Sequence, residues 1–127
     1  MFEKKDETYA IIGAAMEVHK VLGCGLPEKV YQDAFEEELR LRDIPYVREQ
    51  HFTVSYKDKV LDHDFYADFC CFDSVVVELK ATSVIEDIHK AQIISYLKAS
   101  KIKVGLLINF GEESLIYDRF YNSEGTV

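Results

Sequence analysis

The sequence has little of several features that mark particular classes of protein. In 127 residues it contains two prolines and no tryptophan. It has no apolar run near the roughly 20 residues that a membrane-spanning helix requires. The first seven residues, MFEKKDE, are charged where a secretory signal peptide would need an apolar stretch. These absences predict a soluble cytoplasmic protein with no membrane partner.

Cysteine is scarce and badly placed for crosslinking. Of the three cysteines, Cys70 and Cys71 are adjacent and Cys24 lies far from them in the chain. An odd count with this spacing builds no disulfide framework, and without a C-x-x-C motif a thiolate zinc site is disfavoured. Glycine-rich phosphate loops and the G-x-S-x-G nucleophile motif are missing as well.

Basic residues are outnumbered. The chain has 15 Lys and Arg against 23 Asp and Glu, a formal net charge of −8. This disfavours a protein that coats nucleic acid by charge alone, which needs a basic face. It leaves open an enzyme that gathers carboxylates around divalent metal ions, because a bound metal reverses the local field. Lys98, Lys101 and Lys103 are the best candidates for a phosphate contact, although a solvated helix end explains them equally well.

What is present predicts one α/β domain over residues 1–127, with a core from about 8 to 121. Apolar periodicity and turn residues divide the chain into eight elements. Helices are predicted over 8–22, 27–43 and 84–101, and strands over 46–57, 60–72, 75–80, 104–110 and 116–121. The order ααβββαββ predicts a central mixed β-sheet flanked by α-helices.

Two carboxylates and a lysine concentrate in the middle of the chain. Glu78 and Lys80 alternate with Leu79 on a predicted strand, so both side chains point to one face. A hairpin centred on Asp73 places Asp68 opposite Glu78. Opposed carboxylates repel each other unless a cation lies between them, and oxygen ligands suit Mg²⁺ or Mn²⁺. An ordinary salt-bridged hairpin is the alternative, because 30% of the residues are charged.

The neighbouring helices add polar side chains. His89, Gln92 and Tyr96 follow the spacing i, i+3 and i+7, and Glu28 shares a helix face with Tyr31. Singly, Gln92 with Tyr96 is explained by an interior hydrogen bond, Glu28 by a helix N-terminal charge, and Tyr31 by core packing. Together with the strand carboxylates, they suggest an acidic pocket on the sheet between two helices.

Residues 25–31, Gly-Leu-Pro-Glu-Lys-Val-Tyr, form a literal G-x-x-E-x-x-Y motif. It resembles the bacterial GxxExxY protein family, a branch of the PD-(D/E)XK nuclease superfamily. The resemblance continues, over most of the chain, through Tyr66-Ala67-Asp68, Val77-Glu78-Leu79-Lys80, Gln92-x-x-x-Tyr96 and Leu107-Ile108-Asn109-Phe110. It implies a restriction-endonuclease-like fold.

The resemblance also implies roles for the central residues. Asp68 and Glu78 would ligate the catalytic metal, assisted by the backbone carbonyl of Leu79. Lys80 would be the catalytic lysine. Ala67 stands where the superfamily pattern has proline, a mild departure because that proline is a backbone feature and not a ligand.

Residues on the helices receive roles in the same way. Glu28 resembles the glutamate of the first core helix that orients the lysine or reaches the metal. Gln92 and Tyr96 resemble the pair that contacts a DNA end or strand in the exonuclease-like branch. Some relatives add a histidine ligand, but neither His19 nor His63 has convincing spacing for it.

The function implied by the resemblance is hydrolysis of DNA phosphodiester bonds with Mg²⁺ or Mn²⁺. The sequence does not decide between a monomer and a homodimer. The alternative is a catalytically silent nuclease-fold module that binds a protein or nucleotide partner, and a third hypothesis is a small acidic subunit of a larger complex. The charge of −8 and the lack of a DNA-binding extension favour the silent module. The complete set of Asp68, Glu78 and Lys80 favours the enzyme.

Overall fold

The helices and strands follow the predicted order, with one small hairpin added. The computed structural model describes residues 4–122, and these form three helices and seven strands. The elements are α1 Lys5–Leu22, α2 Glu28–Leu41, β1 Tyr46–Phe52, β2 Ser55–Tyr56, β3 Lys59–Val60, β4 Phe65–Cys71, β5 Val75–Lys80, α3 Asp87–Ser100, β6 Val104–Asn109 and β7 Ile116–Tyr121. Within this part of the chain, no helix has both the length and the apolar character needed to cross a membrane.

Five strands form the main sheet in the order β1-β4-β5-β6-β7. Strands β5 and β6 are parallel and joined through α3, whereas the other neighbours are antiparallel. The sheet is therefore mixed, as the sequence predicted. The central strands β5 and β6 are buried almost throughout, which their near-continuous apolar residues explain.

Helices cover both faces of this sheet. On one face α1 and α2 bury residues such as Ile11 and Phe35 against Phe69 and Leu79. On the other face α3 contributes Ile93 to a smaller cluster. Apolar side chains are therefore buried away from water on both sides of β5. The polar residues at the end of this strand lie in a surrounding of low dielectric constant.

The prediction of unbroken strands over 46–57 and 60–72 is wrong. Residues 55–64 are exposed, so no core packing holds them in the main sheet. They include a separate two-stranded hairpin, β2–β3, which reverses at Lys57 with a left-handed φ of 54°. β propensity alone did not distinguish this hairpin from a continuation of the main strands.

The helical spacing that groups Ile88, Gln92 and Tyr96 does not mark the side of α3 that packs on the sheet. Ile88 is 68% exposed and Gln92 is exposed. Ile93 and Leu97 are buried instead. Apolar residues lie on several sides of this helix, so its periodicity does not fix which side faces the sheet.

Candidate active site

The ladder between β4 and β5 ends beside Asp68 and Glu78. Pairing runs from Cys71 opposite Val75 to Phe69 opposite Val77, and continuing this register places Asp68 opposite Glu78, as predicted. Here side chains replace the backbone ladder. The Asp68 N–H donates to Glu78 Oε2 at 2.6 Å, and the Leu79 N–H donates to Asp68 Oδ2 at 2.8 Å. The second oxygen of each carboxylate accepts no hydrogen bond from residues 4–122.

The Leu79 carbonyl points to the same gap. In an extended strand the N–H and C=O of one residue point to the same neighbouring strand. Since the Leu79 N–H points to Asp68 on β4, its carbonyl oxygen does too. The Lys80 carbonyl points the other way and accepts from the Phe110 N–H at 2.8 Å. Two carboxylates and one carbonyl therefore converge where the two strands separate.

Burial and mutual repulsion destabilise the charged forms of the carboxylates. Burial raises the pKa of Glu78, which is 5% exposed, and the Asp68 charge raises it further, to about 8. Burial also raises the pKa of Asp68, against the Leu79 N–H bond and the Lys80 ammonium. A divalent cation at this gap would relieve both effects.

The Lys80 ammonium interacts with three carboxylates without pairing directly with one of them. Its charge opposes the rise that burial causes in the pKa values of Glu28, Asp68 and Glu78. Across residues 4–122 it forms no ion pair within 4.0 Å. The salt-bridged hairpin that the sequence left open is therefore not formed in this part of the chain, and the lysine is half-buried beside the carboxylates.

Glu28 reaches this cluster from the first turn of α2. The pKa of Glu28 is raised, mainly by burial. The Lys80 charge opposes this rise, and the Asp68 charge adds to it. Gln32 donates from Nε2 to Glu28 Oε2 at 3.3 Å. The structure thus brings Glu28 into the electrostatic range of Asp68 and Lys80. Lys29, which sequence analysis did not single out, also lowers the pKa of Asp68; its place next to Glu28 was the available signal.

Tyr31 holds the loop that places Glu28. Its ring is fully buried and stacks on Phe110 with 4.8 Å between centroids. Its hydroxyl donates to the Gly23 carbonyl at 2.5 Å and accepts from the Leu26 N–H at 3.3 Å. Gly25 has a φ of 103°, a conformation that favours glycine. In the G-x-x-E-x-x-Y motif, then, glycine and tyrosine shape the loop and the glutamate faces the cluster.

On α3, Tyr96 lies within electrostatic range of Asp68 and Glu78. Burial raises the pKa of Tyr96, and the charges on Glu78 and Asp68 add to this. Its ring stacks on Phe65 at 4.2 Å. Gln92 is exposed, and no hydrogen bond joins it to Tyr96 among residues 4–122. A contact between Gln92 and DNA stays a prediction.

The histidines have other partners. His89 belongs to a capping box, and its Nδ1 accepts from the Glu86 N–H at 3.1 Å. His19 Nε2 lies 2.9 Å from the Glu112 carbonyl oxygen, and His63 is exposed in the segment between β3 and β4. In the region 4–122, no three His, Cys, Asp or Glu side chains are grouped to hold a metal ion.

The donor set nevertheless fits Mg²⁺ or Mn²⁺. These ions prefer oxygen ligands, and Mg²⁺ in particular is bound through one or two carboxylates while it keeps several waters. Asp68, Glu78 and the Leu79 carbonyl supply hard oxygens of this kind. Their mutual repulsion gives a cation a favourable place to bind.

Comparison with known proteins gives a family match and a fold match. The model of the PD-(D/E)XK nuclease superfamily matches residues 5–120. A solved structure titled "Crystal structure of SSO0001" matches with a TM-score of 0.58 and 18% sequence identity. The match covers 74% of this chain and 49% of that one, so this chain corresponds to about half of its length. Among curated proteins, no sequence match was found.

Proposed function

The chain belongs to the PD-(D/E)XK nuclease superfamily, and from this premise we propose that it hydrolyses DNA phosphodiester bonds with Mg²⁺ or Mn²⁺ at Asp68 and Glu78. The observation that carries the proposal is the pair of opposed carboxylates with free oxygens at the end of the β4–β5 ladder. DNA as the partner and the cytoplasm as the compartment are parts of the same proposal.

Each residue of the cluster has a role in this proposal. Asp68, Glu78 and the Leu79 carbonyl would hold the ion, which would polarise the scissile phosphate and lower the pKa of the attacking water. Lys80 contributes a positive charge beside the carboxylates, where it stabilises negative charge that develops on the phosphate. Glu28 orients the Lys80 ammonium through the charge interaction between them.

Tyr96 supplies a hydroxyl to the same phosphate. A phenol is protonated at neutral pH and donates a hydrogen bond, and burial with the carboxylate charges raises the pKa of Tyr96 further. Its ring is fixed by stacking on Phe65. The exposed Gln92, about one turn earlier on α3, is available for the next nucleotide.

A first test measures the metal site alone. Asp68→Asn should weaken Mn²⁺ binding by more than about a hundredfold, since even the outer partners of metal ligands are worth about 10–100-fold in affinity. Calorimetric titration of Mn²⁺ into wild type and variant measures this loss. Asp118→Asn, which removes an exposed charge from β7, is the matched control. Equal affinities in the wild type and Asp68→Asn would refute the metal site.

A second test concerns the Tyr96 hydroxyl. Tyr96→Phe keeps the ring stack on Phe65 but removes the donor, and a hydrogen bond to a charged group contributes about 1.5–3 kcal/mol. Mg²⁺-dependent cleavage of labelled DNA should fall by about ten- to a hundredfold. Tyr66→Phe, on a ring that is 59% exposed, should leave the rate unchanged. A Tyr96→Phe variant with the full wild-type rate would remove this residue from the mechanism.

The net charge of −8 favours the alternative function, a catalytically silent module with the nuclease fold. This alternative predicts that Mn²⁺ binds without any cleavage of single- or double-stranded DNA. Cleavage that requires Mg²⁺, stops with chelator and is lost in Asp68→Asn would establish the enzyme instead.

A further inference from the structure

A cationic cavity lies away from the carboxylates. Its volume is about 590 Å³, and it is formed by the end of β1, the β2–β3 hairpin and the last turn of α3. Lys57, Lys98 and Lys101 line it together with His51, and its lining in the described part of the chain contains no Asp or Glu. In a chain with 23 acidic and 15 basic residues, this local excess of positive charge runs against the overall composition.

Stabilisation of a helix end explains only part of this cluster. Lys98 and Lys101 lie at the C-terminal end of α3, where cations balance the helix dipole. Lys57 comes from a different element, the turn of the β2–β3 hairpin, and its ammonium lies 5.5 Å from the centroid of the Tyr56 ring. Between residues 4 and 122, neither Lys57 nor Lys101 forms an ion pair.

The remaining lining supplies hydrogen-bond donors. Thr53 and Ser55, whose side chains carry hydroxyl groups, also line the cavity. His51 is paired with the Asp64 carboxylate, so the positive charge of the lining comes from the lysines. Ammonium groups from two elements around a concave surface with hydroxyl donors are suited to an anion with several oxygens, such as a phosphate.

A row of aromatic rings connects this cavity with the candidate active site. Phe52 lines the cavity and stacks on Phe65 at 5.3 Å, and Phe65 stacks on Tyr96 at 4.2 Å. Tyr96 in turn interacts with the charges of the carboxylates.

On the basis of the proposed nuclease function, we infer that the cavity lined by Lys57, Lys98 and Lys101 binds a backbone phosphate of the DNA strand, separate from the phosphate at Asp68 and Glu78. The acidic chain as a whole repels a polyanion. A local cationic subsite on the path of the strand supplies the attraction that the rest of the surface lacks, and it fixes the strand along α3.

Binding of a labelled oligodeoxynucleotide, measured by fluorescence anisotropy with Mg²⁺ over a range of salt concentrations, tests the subsite. The measurements use a Lys80→Ala background so that the strand stays intact. Adding Lys57→Ala and Lys101→Ala should weaken binding and reduce the slope of log affinity against log salt by about 1, as expected for the loss of one phosphate contact. The matched control adds Lys4→Ala and Lys20→Ala, two exposed lysines at the ends of α1, and should leave the slope unchanged.

Cleavage of the same DNA by chains that keep Lys80 is measured in parallel, so that the two proposals fail separately. Equal slopes in both double variants, with normal cleavage by the wild type, would overturn the subsite and leave the nuclease standing. If inorganic phosphate displaced the oligonucleotide at the same concentration of phosphate groups, the cavity would be a site for a free anion. The proposal that it binds a DNA strand would then be wrong. A chain that binds the oligonucleotide through these lysines but never cleaves it would overturn only the nuclease.

Discussion

Lys80→Ala should reduce DNA cleavage by about 10²–10³-fold, the usual effect of removing one group that stabilises charge in a transition state. The ammonium lies beside three carboxylates and is paired directly with none of them within residues 4–122, which leaves it available to the phosphate. Mn²⁺ affinity should stay the same or rise slightly, because an ammonium is not a metal ligand and repels a cation. Single-turnover cleavage and calorimetric titration measure the two effects separately.

The control for this variant is Lys20→Ala, which removes an exposed positive charge on α1. It should keep the wild-type rate and the wild-type metal affinity. Loss of Mn²⁺ affinity in Lys80→Ala would show that the lysine maintains the carboxylate geometry and does not act on the phosphate. Unchanged cleavage in Lys80→Ala would show that it has no catalytic role.

In the presence of chelator, the free energy of unfolding of the wild type should fall as the pH rises from about 5 to about 8. The pKa of Glu78 is about 8 in the folded chain against an ordinary value of 4.5, so between these values the folded chain holds a proton that the unfolded chain releases. Stability is then fully present below the unfolded pKa and decreases as the pH rises toward the folded pKa. Each unit of difference corresponds to about 1.4 kcal/mol, so a decrease of a few kcal/mol is expected.

Glu78→Gln removes this dependence, because the amide stays neutral and its oxygen still accepts from the Asp68 N–H. At pH 8 without metal, the variant should be more stable than the wild type by about 2 kcal/mol, which raises the melting temperature by roughly 5–10 °C for a domain of this size. Glu113→Gln, at an exposed position, is the control. Thermal melts at pH 5 and pH 8 with chelator provide the comparison.

The opposite result identifies a structural role for the carboxylate. If Glu78 were one half of a buried ion pair, its neutralisation would leave a buried charge unpaired and destabilise the chain by about 3–5 kcal/mol. Addition of Mn²⁺ separates the two cases further. It should stabilise the wild type at pH 8, by occupying the gap between the carboxylates, and have little effect on Glu78→Gln.

The sequence by itself predicted the β4–β5 hairpin and the opposed carboxylates. A turn at Asp73 fixes which residues face each other, since pairing in a hairpin follows from the position of the turn. Alternation along β5 then fixes that Glu78 and Lys80 share a face. These are short-range properties of one strand and one turn, so they need no knowledge of the rest of the chain. The family match over residues 5–120 agrees with the resemblance that the same residues suggested, while the narrower GxxExxY assignment stays a prediction.

Tertiary packing decided what those local rules leave open. The rotation of α3, which buries Ile93 and exposes Gln92, depends on which apolar stripe packs better on the sheet. The separation of residues 55–64 into their own hairpin depends on the absence of a core beneath them.

The composition of the candidate active site and of the lysine-lined cavity was likewise decided by the tertiary structure. Lys57 meets Lys101 in one cavity, and Glu28 reaches Asp68, across long sequence separations. Periodicity and turn chemistry specify relations within an element or between neighbouring strands. Contacts between distant elements are instead selected by the burial of apolar surface over the whole domain, a non-directional interaction that no local pattern encodes.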